Sequence, residues 1–396
     1  MNAKMRPEIR KNVFHLCWSL RSTPVDKAMH DLVVYLESNI RTLKVNVSSN
    51  LLQRCLLSIW HECLEQYIEQ TVKEAEIGSV NVGGPGAYLQ LKPNFSSVDN
   101  CSTVIPLSTH EMHEIMSNLP ADIDKNQVFR AKSTLERLKK SLGILLDFFY
   151  KNSDDQIAKR SLETEEYYNV NYLIQLYNSS TPEVVEQYFI EKLKEQELTC
   201  SSSYGKLTVK INYQRSILCV DVQRATNLVP LDSNGLSDPF IIVELLPKHL
   251  FSETQKPFRT RIVKNTVDPV FDERFEFSVT PEELQHSAAC LAFIVMDHDL
   301  IMSNDFEGCV FVRPSLTIKS PSEREMNTEN PKLSFSTLRQ QNRPPSEYKQ
   351  LQICLPLIHP VSKKYGALDV LGQRSDAYAQ EVFKRWKAIE DSEVNK

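Results

Sequence analysis

Residues 206–246 read KLTVKINYQRSILCVDVQRATNLVPLDSNGLSDPFIIVELL. Leu207, Val209, Ile211 and Tyr213 alternate with Thr208, Lys210 and Asn212, and Leu218, Val220 and Val222 then resume the same two-residue period. That period puts apolar groups on one face of a strand and polar groups on the other, as in a half-buried antiparallel sheet. PFIIVELL follows a turn-forming Asp-Ser-Asn-Gly, and RTRIVKN, ERFEFSV, CLAFIVMD and GCVFV follow in the same style, each bounded by turn residues. The reading is an all-β sandwich. A segment at about 320–346, rich in Ser, Pro, Glu, Asn and Gln, is too polar to pack and reads as a disordered insertion before a last strand, YKQLQICLPL.

Upstream of the polar joint Cys200-Ser201-Ser202-Ser203 the period changes to that of helices. Ser22-Thr23-Pro24 is a helix-start signal. Leu32, Val33, Leu36 and Ile40 mark one stripe, and Leu52, Leu56, Ile59, Trp60, Cys63, Leu64, Tyr67 and Ile68 mark a second. Leu135, Leu138, Leu142, Leu145, Leu146 and Phe149 form a third, and Thr181-Pro182-Glu183 opens a helix through Val185, Phe189 and Leu193. With a loop or insertion at about 78–108, this half predicts an antiparallel helical bundle. The tail from about 376 to 391 returns to helical spacing through Ala379, Val382, Phe383, Trp386 and Ile389, and packs on the sandwich edge or on the bundle.

The 396 residues suffice for two or three domains, and 41% hydrophobic with 24% charged residues is an ordinary globular balance. A formal net charge of -5 gives no global attraction to nucleic acid, so any anionic partner must meet a local patch. Neither a G-x-x-x-x-G-K-[ST] loop nor a G-x-G-x-x-G turn is present. Nine scattered cysteines without a C-x-x-C pair predict reduced thiols in a cytosolic protein. The basic N-terminus lacks a small-residue cleavage site, and no run of about 18 apolar residues exists to span a bilayer. Membrane contact is therefore expected to be peripheral.

The chemistry sits at the strand ends, in Asp232 and Asp238 of LDSNGLSDPF and in Asp297, Asp299 and Asp305 of MDHDLIMSNDFEG. Five carboxylates in two short loops repel one another unless a cation neutralises them. Calcium, with six to eight oxygen ligands and tolerant geometry, suits such loops better than magnesium, which demands a stricter octahedron. The bland alternative is turn chemistry, since Asp and Asn also favour turns by bonding their own backbone.

Those motifs resemble the C2 domain, over about 204–357. GKLTVKINY and LCVDVQRATNL match its opening strands, SDPF follows its first calcium loop, TVDPVFDERFEF lies in its middle and DHDLIMSNDFEG is its third loop. The resemblance places Asp232, Asp238, Asp297, Asp299 and Asp305 at all five aspartate positions of calcium-binding members. Leu300, Ile301 and Met302 form an apolar tip between them, suited to insertion into lipid once calcium reverses the charge of the rim; packing within the loop is the alternative. Lys256, Arg259, Arg261 and Lys264 mark a basic strand that in related domains contacts phosphoinositides or acidic partners, the alternative being a solvated charged edge.

The helical segments, among them KAMHDLVVYLESNIRTLKVNVSSNLLQRCLLSIWHECLEQYI and VNYLIQLYNSSTPEVVEQYFIEKL, resemble the end of the MUN module and the second Munc-homology region of the Unc-thirteen family. The full aspartate set favours the subgroup of brain-angiogenesis-inhibitor-associated protein three and Munc-thirteen-four. The resemblance implies a bundle over 1–199, an eight-stranded antiparallel C2 sandwich over 204–358 and a tail with a helix over 359–396. It further implies a calcium-dependent, cytoplasmic, peripheral membrane protein of vesicle docking, priming and exocytosis. Its expected partners are phosphatidylserine, phosphoinositides and SNARE proteins, with no nucleic acid and no small-molecule substrate. No enzyme is expected: there is no G-x-S-x-G or H-E-x-x-H, and His110-Glu111-Met112-His113 has the wrong spacing for a metal pair. The competing reading is a calcium-independent scaffold whose C2 fold mediates protein contacts.

Overall fold

The computed structural model describes residues 2–18, 23–79, 127–153, 157–232, 234–251, 256–299, 304–317, 350–361 and 363–392. Most of the expected loop at 78–108 and all of the insertion at 320–346 lie outside them. The chain forms two compact units, one of residues 1–180 with 373–376 and one of residues 181–372 with 377–396.

The first unit is helical: α1 (Asn2–Trp18), α2 (Val25–Ala28), α3 (His30–Asn46), α4 (Ser49–Ser79), α5 (Gln127–Asn152), α6 (Lys159–Leu162) and α7 (Glu165–Asn178). The stripes read from the sequence are its buried faces, from Leu32, Leu36 and Ile40 to Leu142, Leu145 and Phe149. The helix α1 is an addition. Met5, Ile9, Val13 and Leu16 bury a stripe of their own, and Arg6 and Arg10 pair with Glu62 and Glu69 of α4 at 3.3 and 3.1 Å. Trp60 is the largest side chain in this core. Its ring meets Phe149 and Tyr167 at 5.3 and 6.0 Å, and its indole N–H donates to the Leu162 carbonyl at 2.7 Å. Tyr67, fully buried, shares a 2.7 Å hydrogen bond with the Ser141 hydroxyl. We expect Tyr67→Phe to cost about 1–2 kcal/mol in thermal denaturation, because the Ser141 oxygen then loses a buried partner.

The second unit contains the sandwich: β1 (Lys206–Gln214), β2 (Ile217–Thr226), β3 (Pro239–Leu246), β4 (Phe258–Arg259), β5 (Val270–Ser278), β6 (Cys290–Asp297), β7 (Asp305–Val312) and β8 (Leu351–Pro356). They form two four-stranded sheets, ordered β5-β2-β1-β8 and β4-β3-β6-β7, with every described pairing antiparallel. In β1, burial alternates as the sequence predicts. The strand expected over RTRIVKN is reduced to Phe258–Arg259. There the Thr260 hydroxyl takes the Ile241 N–H at 2.9 Å, so a side chain replaces one ladder bond and regular pairing stops, although the Thr260 and Val263 N–H groups still donate to the Ile241 and Pro239 carbonyls at 3.0 Å.

This unit also holds α8 (Thr181–Leu198), α9 (Pro281–Gln285), α10 (Ala367–Gly372) and α11 (Ala377–Glu390). The sequence pattern puts the helical stripe of α8 in the bundle, since periodicity shows that a face is buried but not against what. Here it packs on β7, α10 and α11. Trp386 of α11 lies 5.7 Å from Phe311 of β7, 5.5 Å from Phe189 and 5.8 Å from Tyr188 of α8, and Arg385 forms a bidentate pair with Glu244 of β3. The tail helix thus covers the outer face of the second sheet. Gln196 of α8 accepts from the Phe311 N–H of β7 at 3.2 Å and donates to the Pro356 carbonyl of β8 at 3.0 Å. One buried amide so satisfies backbone groups on two strands that would otherwise be open edges.

Candidate functional site

The loop from β2 to β3 carries Asp232 and Asp238. The Asp232 N–H donates to the Leu236 carbonyl at 3.1 Å, Asn234 Oδ1 accepts from the Leu236 N–H at 2.8 Å, and Gly235 sits at a φ of 77°, where a side chain would strain the turn. Turn chemistry is therefore present. The side chain holding this turn is Asn234, and among the described residues no hydrogen bond engages the Asp232 carboxylate.

Asp297 ends β6 and pairs across the ladder with Asp305, the first residue of β7. Antiparallel pairing brings the two ends of the third loop together. Asp297 Oδ1 accepts from the Asp238 N–H at 2.6 Å, joining the first and third loops, and Asp238 Oδ1 accepts from the Asn265 N–H at 2.8 Å. His298 Nδ1 meets Asn304 Oδ1 at 3.0 Å and closes the third loop at its base. Asp297 is buried, Asp232, Asp238 and Asp299 are half-buried and Asp305 is exposed. The site thus runs from the sandwich end outward into solvent.

The electrostatics follow from that crowding. Burial, and then the charges of Asp232, Asp299 and Asp238, raise the Asp297 carboxyl above its ordinary range, against the bond from the Asp238 N–H. Glu307 of β7, which the sequence reading did not single out, is 1% exposed. Burial pushes it up to about 8, helped by Asp297 and Asp232 and opposed by the Ser237 hydroxyl. Its signal was available: a carboxylate two places beyond the last aspartate, in a strand otherwise apolar.

Every donor here is oxygen, the set a hard divalent cation prefers. Among the described residues, no three Asp, Glu, His or Cys side chains stand at ion-holding spacing in this conformation. The donor set suits calcium in its chemistry, though these carboxylates do not converge on one point in this structure. The apolar tip, Leu300, Ile301 and Met302, lies outside the described residues.

The four basic residues do not form one row. Arg259 lies on β4 with its guanidinium 3.7 Å over the Phe240 ring. Arg261 turns toward β5, where Nη2 donates to the Val270 carbonyl at 2.9 Å and its backbone N–H to Glu273 at 2.9 Å. Lys256 and Lys264 are exposed on the segments beside the strand.

Comparison with known proteins agrees with this architecture. The C2 domain family matches residues 216–329. Human BAI1-associated protein 3 is 32% identical over 310 residues, which is 78% of this chain and 21% of that protein. Human protein unc-13 homolog D is 34% identical over 232 residues, 58% of this chain and 19% of the relative. Synaptotagmin-C of Diplobatis ommata is 32% identical over 146 residues, 36% of this chain and 25% of that one. The chain thus spans about a fifth of the length of the two longer-matching relatives. Helices followed by a C2 sandwich, matched across most of the chain by BAI1-associated protein 3, place it in the Unc-13 (Munc13) family, of which it carries the C-terminal region.

Proposed function

We propose that the chain acts in membrane trafficking by binding anionic phospholipid in response to calcium, by binding rather than catalysis. The observation that carries this reading is the crowding of Asp232, Asp238 and Asp299 around Asp297 at the open end of the sandwich. Without a cation these carboxylates repel an anionic bilayer. Bound calcium would neutralise the rim and leave coordination sites for lipid phosphate, with Asp232, Asp238, Asp297, Asp299 and Asp305 as its protein ligands. Asp297 ties the two loops together through the Asp238 N–H, so one ion would order both. Burial of Leu300, Ile301 and Met302 in lipid would add about 1.5–3 kcal/mol per side chain. The exposed Lys256 and Lys264 offer phosphoinositide phosphates a second, weaker contact. Family membership supports action in vesicle docking, priming and exocytosis at a vesicle, endosomal or plasma membrane, with the bundle contacting SNARE proteins.

The test is co-sedimentation of the chain with vesicles of phosphatidylserine and phosphoinositide, in calcium or chelator, beside Asp297→Asn/Asp299→Asn. We expect calcium to drive the wild type into the pellet and the variant to need at least about tenfold more calcium. Binding that ignores both calcium and the substitutions would sink this reading in favour of the calcium-independent scaffold.

A further inference from the structure

Glu307 is the unopposed residue of a bulge in β7, where the ladder to β6 passes from Val295–Gly308 to Met296–Phe306. Bulges re-aim a side chain and often do so beside functional sites. This one puts a carboxylate inside the protein, 1% exposed, with neither oxygen in a well-formed hydrogen bond among the described residues, the Ser237 hydroxyl being the one polar group that favours its charge. Asp297 and Asp232, the charges acting on it, are carboxylates as well. As core filling the arrangement is poor, because an apolar side chain of similar volume would avoid the desolvation cost altogether. Asp297 Oδ1 and Asp238 Oδ1, meanwhile, each already accept a backbone N–H, which leaves the rim fewer oxygens for an ion that takes six to eight.

We infer that Glu307 is a further ligand of the cation site, supplying carboxylate oxygen from its buried side and completing the shell that the five aspartates leave short. The inference rests on the calcium reading above. It accounts for the two poorly satisfied oxygens, which acquire a partner once the ion is bound, and for a charged residue in the strand segment FEGCVFV.

The experiment is calorimetric titration of the full chain with calcium chloride, for the wild type, Glu307→Gln and Glu307→Leu, with thermal melts in calcium and in chelator. Glu307→Gln keeps the shape and removes the charge, and Glu307→Leu fills the space with carbon. Both variants are expected to melt at or above the wild type in chelator, to bind calcium about tenfold more weakly or with one ion fewer, and to gain less from calcium in the melt. Variants that bind calcium as the wild type does would overturn the inference and leave the calcium reading standing. A wild type that takes up no calcium would overturn both.

Discussion

Replacing Lys192 by methionine destabilises the sandwich-containing unit by about 3–5 kcal/mol, the usual effect of stranding a buried charge. The ammonium of Lys192 sits in α8 with its side chain 4% exposed, 2.8 Å from Glu390 of α11 and 3.1 Å from Glu195 of its own helix. A third bond at 3.3 Å goes to the Val361 carbonyl, so all three N–H donors are used. Burial alone would lower the lysine pKa, yet Glu195 and Glu390 outweigh it and raise it, so the ion pair persists at neutral pH. The Glu390 side chain is 2% exposed, and without Lys192 its remaining described contact is the Tyr188 hydroxyl at 3.3 Å. Lys192→Met/Glu390→Leu removes both charges together and should regain most of the loss. Urea denaturation followed by Trp386 fluorescence, with Trp18 and Trp60 changed to phenylalanine, reads the unit selectively. A single variant as stable as the double would show that the pair contributes nothing.

Trp386→Ala should cost a similar 3–5 kcal/mol by opening a cavity among Tyr188, Phe189 and Phe311. The loss also has a location. With its anchor gone, α11 retains the Arg385–Glu244 pair, whose guanidinium stacks 5.5 Å from the missing indole. The helix should therefore open locally before the sandwich unfolds. Amide hydrogen exchange should show lost protection across Ala377–Glu390 and little change in β1 and β2. Uniform loss across the unit would mean that the helix and the sheets open as one.

The sequence made the fold legible wherever burial is one-sided. β1 and β2 alternate because one face meets the core, and α3, α4 and α5 carry stripes for the same reason. The partner of α8 is not legible and that of α11 is left between sandwich and bundle, because a stripe records burial, not the partner. The hint lay in the strands: PFIIVELL, CLAFIVMD and FEGCVFV hardly alternate, and all three are buried along nearly their whole length. A sheet apolar on both faces needs a cover on each. In α1 the stripe of Met5, Ile9, Val13 and Leu16 repeats at helical steps but is masked by the basic residues between them. At the site, Asp232, Asp238, Asp297, Asp299 and Asp305 could be read from motif spacing. Glu307 is legible only as a charge in an apolar strand, and the three-dimensional ladder is needed to show that it lies at a bulge.

The family match begins at residue 216 and ends at 329, inside the stretch that this unit occupies. A fragment trimmed to those limits would lack β1, β8 and both covering helices, leaving Phe311 and the outer side of β3, β6 and β7 bare to water. Such a fragment would be prone to self-association, and lipid binding measured on it could reflect that bare sheet as much as the aspartate loops. For biochemical work, a piece that keeps the sandwich covered has to include both α8 and α11, which serve it as a half-shell that the family limits leave out.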